Sequence, residues 1–355
     1  MESLKSTDLN SAPLNGTGMK GTGFSPYIHP AKSSRALAPE GRSSAAPISL
    51  LSSLLLLLLL APLAASAQPH FNGDRAFQLT REFVAIGPRW PLSPGHLKAE
   101  NFLRAQLAPE AKAGQLEEDT FTASTPIGAV PMRNFIARFP GQKDGVIVLA
   151  THYETNYPLR NIGFVGANDG GSTTGLLLEI ANELRPQVAA GKKLDGYSVW
   201  LVFDDGEEAI QTWQGMDHTY GTRHLAAKWA SDGTAKRIKA LLLADMLGDK
   251  DLNVLKETTS TPWLSDLVAQ AAKNTGNAKY FFKTQGAEED DHEPFLQRGM
   301  PAIDIIDVDY GPKSAANNFD GYHHTAQDTM DKISAHSLTV AGNVFLESIK
   351  LLNQR

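Results

Sequence analysis

The chain has 355 residues, a formal net charge of -6 and 42 % hydrophobic residues. That is the composition of a mildly acidic globular protein, and it excludes the strongly basic surface that nucleic-acid binding needs. There is no cysteine, which rules out a disulfide framework, a thiolate nucleophile and a sulfur-ligated metal, so any metal must be held by His, Asp and Glu.

Residues 1–47 are rich in Ser, Gly, Pro, Thr and Ala without periodicity and are expected to be a disordered leader. Arg42 then precedes a leucine-dominated run, Ile48–Leu63, and the A-x-A-like Ala65-Ser66-Ala67. Residues 48–67 therefore read as a signal peptide, or, if uncleaved, as a membrane anchor over 48–65. Met19 is an alternative start. Cleavage would leave one domain, 68–355, in a protein exported to the periplasm or secreted.

Gly73–Ile86 has helical spacing of Phe77, Phe83 and Val84, and Gly87–Pro91 reads as a turn. Ser93-Pro94 supplies an N-cap and a first-turn proline for a helix to Leu107. Leu116–Ala123 alternates loosely. Met132–Phe139 alternates clearly, as a half-buried antiparallel strand does. Gly145–Ala150 is a short apolar run that fits a fully buried strand, and it ends in Thr151-His152-Tyr153-Glu154. A loop rich in Gly and Asn, 156–171, carries Asp169 to the start of a helix, Thr173–Leu184. Val199–Phe203 is the second buried strand, broken abruptly by Asp204-Asp205-Gly206-Glu207-Glu208.

Further on, His218–Ala230 reads as a helix, Ile238–Leu243 as a third buried strand ending at Asp245, and Pro262–Lys273 as a helix. Asp291–Arg298 is a short helix, Ala302–Ile306 a fourth strand, Gly321–Asp328 a loop with His323 and His324, and Ser334–Leu352 a closing helix. Strands alternating with helices predict an α/β fold, a single domain with a mostly parallel central sheet flanked by helices.

Adjacent side chains point different ways, so Glu207 and Glu208 can divide two tasks, one handling a proton while the other holds a metal. His152, Asp169, Glu207 with Glu208, Asp245 and His324 recur at strand ends or in loops, where open α/β sheets gather their chemistry. A nitrogen and oxygen ligand set suits zinc, with manganese and cobalt as alternatives. A catalytic zinc needs three protein ligands and keeps one position open, so these candidates exceed one ion's need and would serve two ions bridged by a carboxylate.

His152-Tyr153-Glu154, Gly166-Ala167-Asn168-Asp169, Asp205-Gly206-Glu207-Glu208, Asp245 and His324-Thr325, in this order, resemble the co-catalytic zinc aminopeptidase superfamily. Within it the chain is most similar to the glutaminyl-peptide cyclotransferases. That branch is supported by Gly87-Pro88-Arg89 with Ser93-Pro94-Gly95, by Trp213 after Glu207-Glu208-Ala209, by Tyr220–Ala226, by Asp290-Asp291-His292 with Pro294-Phe295-Leu296, and by His324-Thr325 with Asp328. The likeness spans Gly73 to the C-terminus.

The resemblance implies an aminopeptidase-like fold and a zinc ion on Asp169, Glu208 and His324. It implies Glu207 as the proton shuttle, Asp245 and Asp290 in a hydrogen-bonded network with it, and Trp213 as a pocket wall. It implies one ion in a cyclotransferase, with His152 retained but unligated, and two in an aminopeptidase, where His152 and Asp245 would hold the second. The implied reaction is ring closure of an N-terminal glutamine of peptides to pyroglutamate with release of ammonia; the alternative is hydrolysis of N-terminal residues by a metal-bound water.

Three positions depart from the family pattern. Glu154 replaces an Asp, His323 replaces the tryptophan of the animal cyclotransferases, and Asp304 replaces a histidine in the fourth strand. Of the remaining polar residues, Glu288-Glu289 is expected to be a solvated charge run, His218 and His224 helix-surface or structural residues, Asp204 and Asp205 turn organisers, and His292 either a helix start or a second-shell group.

Overall fold

The computed structural model describes residues 71–312 and 321–355. The expected leader, signal segment and start of the mature domain at Gln68 lie outside the described residues. No helix among the described residues is long and apolar enough to cross a membrane.

The frame is a six-stranded sheet built from β1 (Leu116–Thr125), β2 (Gly128–Phe139), β3 (Gly141–His152), β4 (Leu194–Asp204), β5 (Ile238–Asp245) and β8 (Ala302–Ile306), in the order β1-β2-β4-β3-β5-β8. β1, β2 and β4 pair antiparallel, and β4, β3, β5 and β8 pair parallel. The four parallel strands are those read from short apolar runs, which need both faces covered.

Their side chains alternate between two cores. Ile147, Leu149, Leu201, Phe203, Leu242 and Ile303 face one side, under α1 (Gly73–Val84), α4 (Gly171–Val188) and α8 (Ala335–Asn353). Val146, Val148, Trp200, Val202, Leu241 and Leu243 face the other, with α5 (Tyr220–Asp232) and α7 (Glu293–Leu296). Truncating one of the larger of these side chains to Ala costs about 2–5 kcal/mol. Of the other helices, α2 (Pro94–Gln106) is followed by α3 (Ala108–Lys112), and α6 (Pro262–Asn274) packs on α8.

The structure differs from the sequence expectations at element edges. β1 and β2 extend toward each other to form a hairpin that meets at Thr125 and Gly128. α5 begins at Tyr220 because Thr219 before it is left-handed, with φ 48°, and α7 is shorter than the expected 291–298. A two-stranded parallel sheet, β6 (Val254–Glu257) with β7 (Phe281–Gly286), was not expected. β7 buries only Phe281, so its residues lack the alternation that marks a strand.

Candidate active site

β3, β4 and β5 run parallel and end side by side, so His152, the 204–208 turn and Asp245 come together at one sheet edge. Gly206 makes the turn possible: its φ is 74°, and a Cβ there would lie 2.6 Å from Met132 Sδ. Gly170, with φ 71°, starts α4 directly beneath His152, whose Cε1 lies 2.8 Å from where a Cβ would stand. The last loop brings in His324, also left-handed at φ 53°, as is Met246 after Asp245 at φ 53°. Non-glycine residues in that region cost about 1–3 kcal/mol each and concentrate where side chains must be aimed.

Asp169, Glu208 and His324 meet at one ring nitrogen. His324 Nε2 lies 3.3 Å from Asp169 Oδ2 and 3.0 Å from Glu208 Oε1. On the other side of Asp169, His152 Nε2 is 3.1 Å from Asp169 Oδ1 and 3.4 Å from Asp245 Oδ1, while its Nδ1 is 3.8 Å from Glu207 Oε2 and 3.9 Å from Glu154 Oε2. The structure thus brings both expected ligand sets together, with Asp169 between them.

These groups fit a cation. Neither ring nitrogen of His152, nor Asp169 Oδ2, nor Asp245 Oδ1 makes a well-formed hydrogen bond among the described residues, although all are buried. Burial alone would lower the His152 imidazole, but Asp169, Asp245, Glu207 and Glu154 hold it well above its ordinary range. Burial is likewise overcome at His324 by Glu208 and Asp169, and at Asp169, which His152 and His324 hold well below the carboxylate range.

Glu207 is pushed well above the usual carboxylate range, first by burial, then by Glu208, Asp290 and Asp291, with His152 opposing. Like-charge repulsion is secondary to burial. Asp290 is raised by burial, Asp245 and Asp291, and Asp245 by burial against the pull of His152. Glu207, Glu208, Asp169, Asp245, Asp290 and Trp213 all line one cavity of about 710 Å³, together with His323 and His324. A second cavity of about 630 Å³, between α2 and the β1–β2 hairpin, contains none of the predicted site residues.

The departures from the family pattern all lie at or beside the site. Glu154 Oε1 accepts the Glu208 backbone N–H at 3.0 Å, and burial raises its carboxyl to about 7. His323 stacks on His324 with ring centroids 3.8 Å apart. Asp304 is fully buried in β8 and raised well above its ordinary range by burial, Asp290 and Asp245.

Several sequence expectations need correction. Glu289 is exposed, as a solvated run expects, while Glu288 is half-buried, and both line the cavity. His218 is buried ahead of α5, not on its surface, stacked on Trp213 with centroids 4.4 Å apart. Asp205 does organise its turn, accepting from His96 Nε2 and the Arg133 N–H at 2.8 Å each. Asp204 does not: it is fully buried, raised by burial and Asp291. His292 is buried, 2.8 Å from Thr259 Oγ1 and 3.3 Å from Glu257 Oε2, away from the cavity lining.

Sequence reasoning missed three supports. Asn156 Nδ2 donates to Glu208 Oε2 at 2.6 Å. Asp328 accepts the backbone N–H groups of Asn168 and Asp169 and the Tyr310 hydroxyl. Arg89, in what read as a plain turn, is fully buried and donates to the carbonyls of Tyr153, Val165 and Gly166. An arginine inside a Gly-Pro turn was the one available signal.

Residues 134–349 match peptidase family M28. A glutaminyl-peptide cyclotransferase-like protein from Bos taurus is 31 % identical over 294 residues, covering 73 % of this chain and 71 % of that protein. The crystal structure of an Acidobacteriales bacterium glutaminyl cyclase is similar with a TM-score of 0.78 at 61 % identity, covering 82 % of this chain and 98 % of that one. A Zn-dependent exopeptidase from Parabacteroides distasonis is similar with a TM-score of 0.67 at 28 % identity, covering 81 % and 100 %.

Proposed function

The chain belongs to peptidase family M28, in the branch of the glutaminyl-peptide cyclotransferases, and we propose that its cavity closes the N-terminal glutamine of peptides to pyroglutamate with Asp169, Glu208 and His324 holding one zinc ion. The observation that carries this is the meeting of those three side chains at His324 Nε2, with Glu207 lining the same cavity. The aminopeptidase alternative is weaker, because the 61 % identical neighbour is a glutaminyl cyclase.

When bound, zinc supplies a Lewis acid for the γ-carbonyl oxygen of the substrate glutamine. The rest falls to the chain. The cavity holds the α-amine near the side-chain amide carbon, Cδ, of the same residue, so the attack is intramolecular and proximity supplies much of the rate. Glu207 takes a proton from the attacking amine and returns it to the departing nitrogen: the new N–Cδ bond forms, the Cδ–NH₂ bond breaks, and ammonia leaves. A carboxylate raised by burial suits both transfers, since a general acid–base works best near the operating pH. Asp245 and Asp290, both raised by burial, line the same cavity as Glu207, where Asp290 helps to raise it, and Trp213 walls the glutamine side chain. His152, between Asp169 and Asp245, would be a ligand if a second ion bound, and with one ion it stays unligated.

The leucine-rich run and Ala65-Ser66-Ala67 support export to the periplasm or beyond, with a membrane anchor over 48–65 as the alternative. The test is to offer the protein a glutaminyl peptide and a leucyl peptide of otherwise identical sequence. Ammonia release with a blocked N-terminus on the first, and no cleavage of the second, is the expected result; release of free N-terminal residues from either would overturn the proposal.

A further inference from the structure

We propose that the mouth of this cavity selects glutaminyl peptides carrying a basic residue just after the glutamine, through Glu288 and Glu289; the inference deepens the cyclase reading and rests on it. Among the described residues the cavity lining holds seven carboxylates, those of Asp169, Glu207, Glu208, Asp245, Glu288, Glu289 and Asp290, and no Lys or Arg. Five of the seven belong to the metal set and the proton network just described. Glu288 and Glu289 have no such task. They stand on the 287–290 loop immediately before Asp290, which places them where a peptide whose first side chain lies deep in the cavity must leave it.

Glu289 is the outermost, with its side chain 53 % exposed. Its nearest basic neighbour is His218, whose Nε2 lies 3.4 Å from Glu289 Oε1. Burial lowers that imidazole, so it does not cancel the carboxylate at neutral pH. Arg223 is a cation acting on this region, held in place by hydrogen bonds to the carbonyls of Met216 and His218. Among the described residues the mouth therefore presents an excess of negative charge, with more carboxylates than the one guanidinium of Arg223 offsets, beside a partly exposed indole, Trp213, a surface that favours a lysine or arginine side chain and disfavours a carboxylate.

Two unit charges acting through water at about 7 Å, swung from attraction to repulsion, change a specificity ratio on the order of tenfold at low salt, and screening shrinks that ratio. The test measures kcat/KM of the full chain on Gln-Lys-Ala-amide, Gln-Ala-Ala-amide and Gln-Glu-Ala-amide. The Lys peptide should exceed the Glu peptide by about tenfold at low ionic strength and by about twofold in strong salt. In the double variant E288Q/E289Q the ratio should fall close to one, and in E289Q alone part of the way. Ratios are taken within each variant, so a general loss of activity cancels. Cyclisation of all three peptides at equal rates, or a preference that survives the double variant, overturns this inference alone. Failure to cyclise even the Ala peptide overturns the cyclase reading beneath it, and this inference with it.

Discussion

Arg89 is the buried cation that anchors the loop bearing Asp169, and replacing it by methionine tests that most sharply. Its side chain is fully buried, with Nε 3.0 Å from the Tyr153 carbonyl, Nη1 2.6 Å from that of Val165 and Nη2 3.1 Å from that of Gly166. Its backbone N–H donates to Thr155 Oγ1, and its guanidinium lies 4.6 Å above the Phe83 ring. One planar fork thus ties the end of β3, which carries His152, to the loop that carries Asp169. Burial lowers its pKa to about 10, against the pull of Asp169, Asp328 and Glu154, so it stays charged at neutral pH. Arg89→Met keeps the length of the side chain but orphans three buried carbonyls, at roughly 1–3 kcal/mol each before relaxation, or about 4 kcal/mol in total. For a domain of this size that lowers Tm by about 10 °C. Arg89→Lys keeps the charge but not the fork and should recover about half of the loss. Zinc affinity should fall about 10–100-fold in the methionine variant, because the ligand loop loses its anchor. Thermal unfolding of the three proteins, with a zinc titration, is the assay. A methionine variant within about 2 °C of the parent would refute the reasoning.

Three further outcomes follow from the geometry. Glu207→Gln should lower kcat for ammonia release by about 10²–10⁴-fold with little change in KM, measured on a glutaminyl peptide. Asp217 accepts the N–H groups of Ile210, Gln211 and Thr212 and the Tyr220 hydroxyl, which fixes the loop bearing Trp213; Asp217→Ala should raise KM more than it lowers kcat and shift the Trp213 fluorescence. Glu257 overcomes its burial by bonding to His292, Ser260 and the Thr259 N–H, which bring its pKa down to about 2. A depressed carboxylate stabilises the fold above its unfolded value and loses that contribution as pH falls toward its folded one. The parent should therefore lose Tm between about pH 4.5 and pH 2, and Glu257→Gln, already less stable at neutral pH, should lose less across that window.

The parallel core was legible because β3, β4, β5 and β8 are short apolar runs that only a doubly covered strand explains. The gathering of His152, Glu207, Glu208 and Asp245 at one sheet edge was legible because each follows such a run, and that of Asp169 because it opens a helix; His324, in a loop, was named by the resemblance. Contacts made across long sequence separations were not. Arg89 reaches carbonyls 64 to 77 positions away, and nothing in Gly-Pro-Arg states whether that arginine points into solvent or into the core. His218 was left between helix surface and structural for the same reason: a histidine before a helix can lie either way until Trp213 is folded beside it. β7 escaped because five of its six residues are not buried, leaving no apolar period to read.

The most direct measurement is a zinc titration of metal-stripped protein while cyclisation of Gln-Ala-Ala-amide is followed by ammonia release. With Asp169, Glu208 and His324 holding the single ion that ring closure requires, the rate should climb in proportion to added zinc and level off at one equivalent per chain, and Asp169→Asn should show no such climb. Full cyclisation by the stripped protein, or a rate that needs a second equivalent, would contradict it.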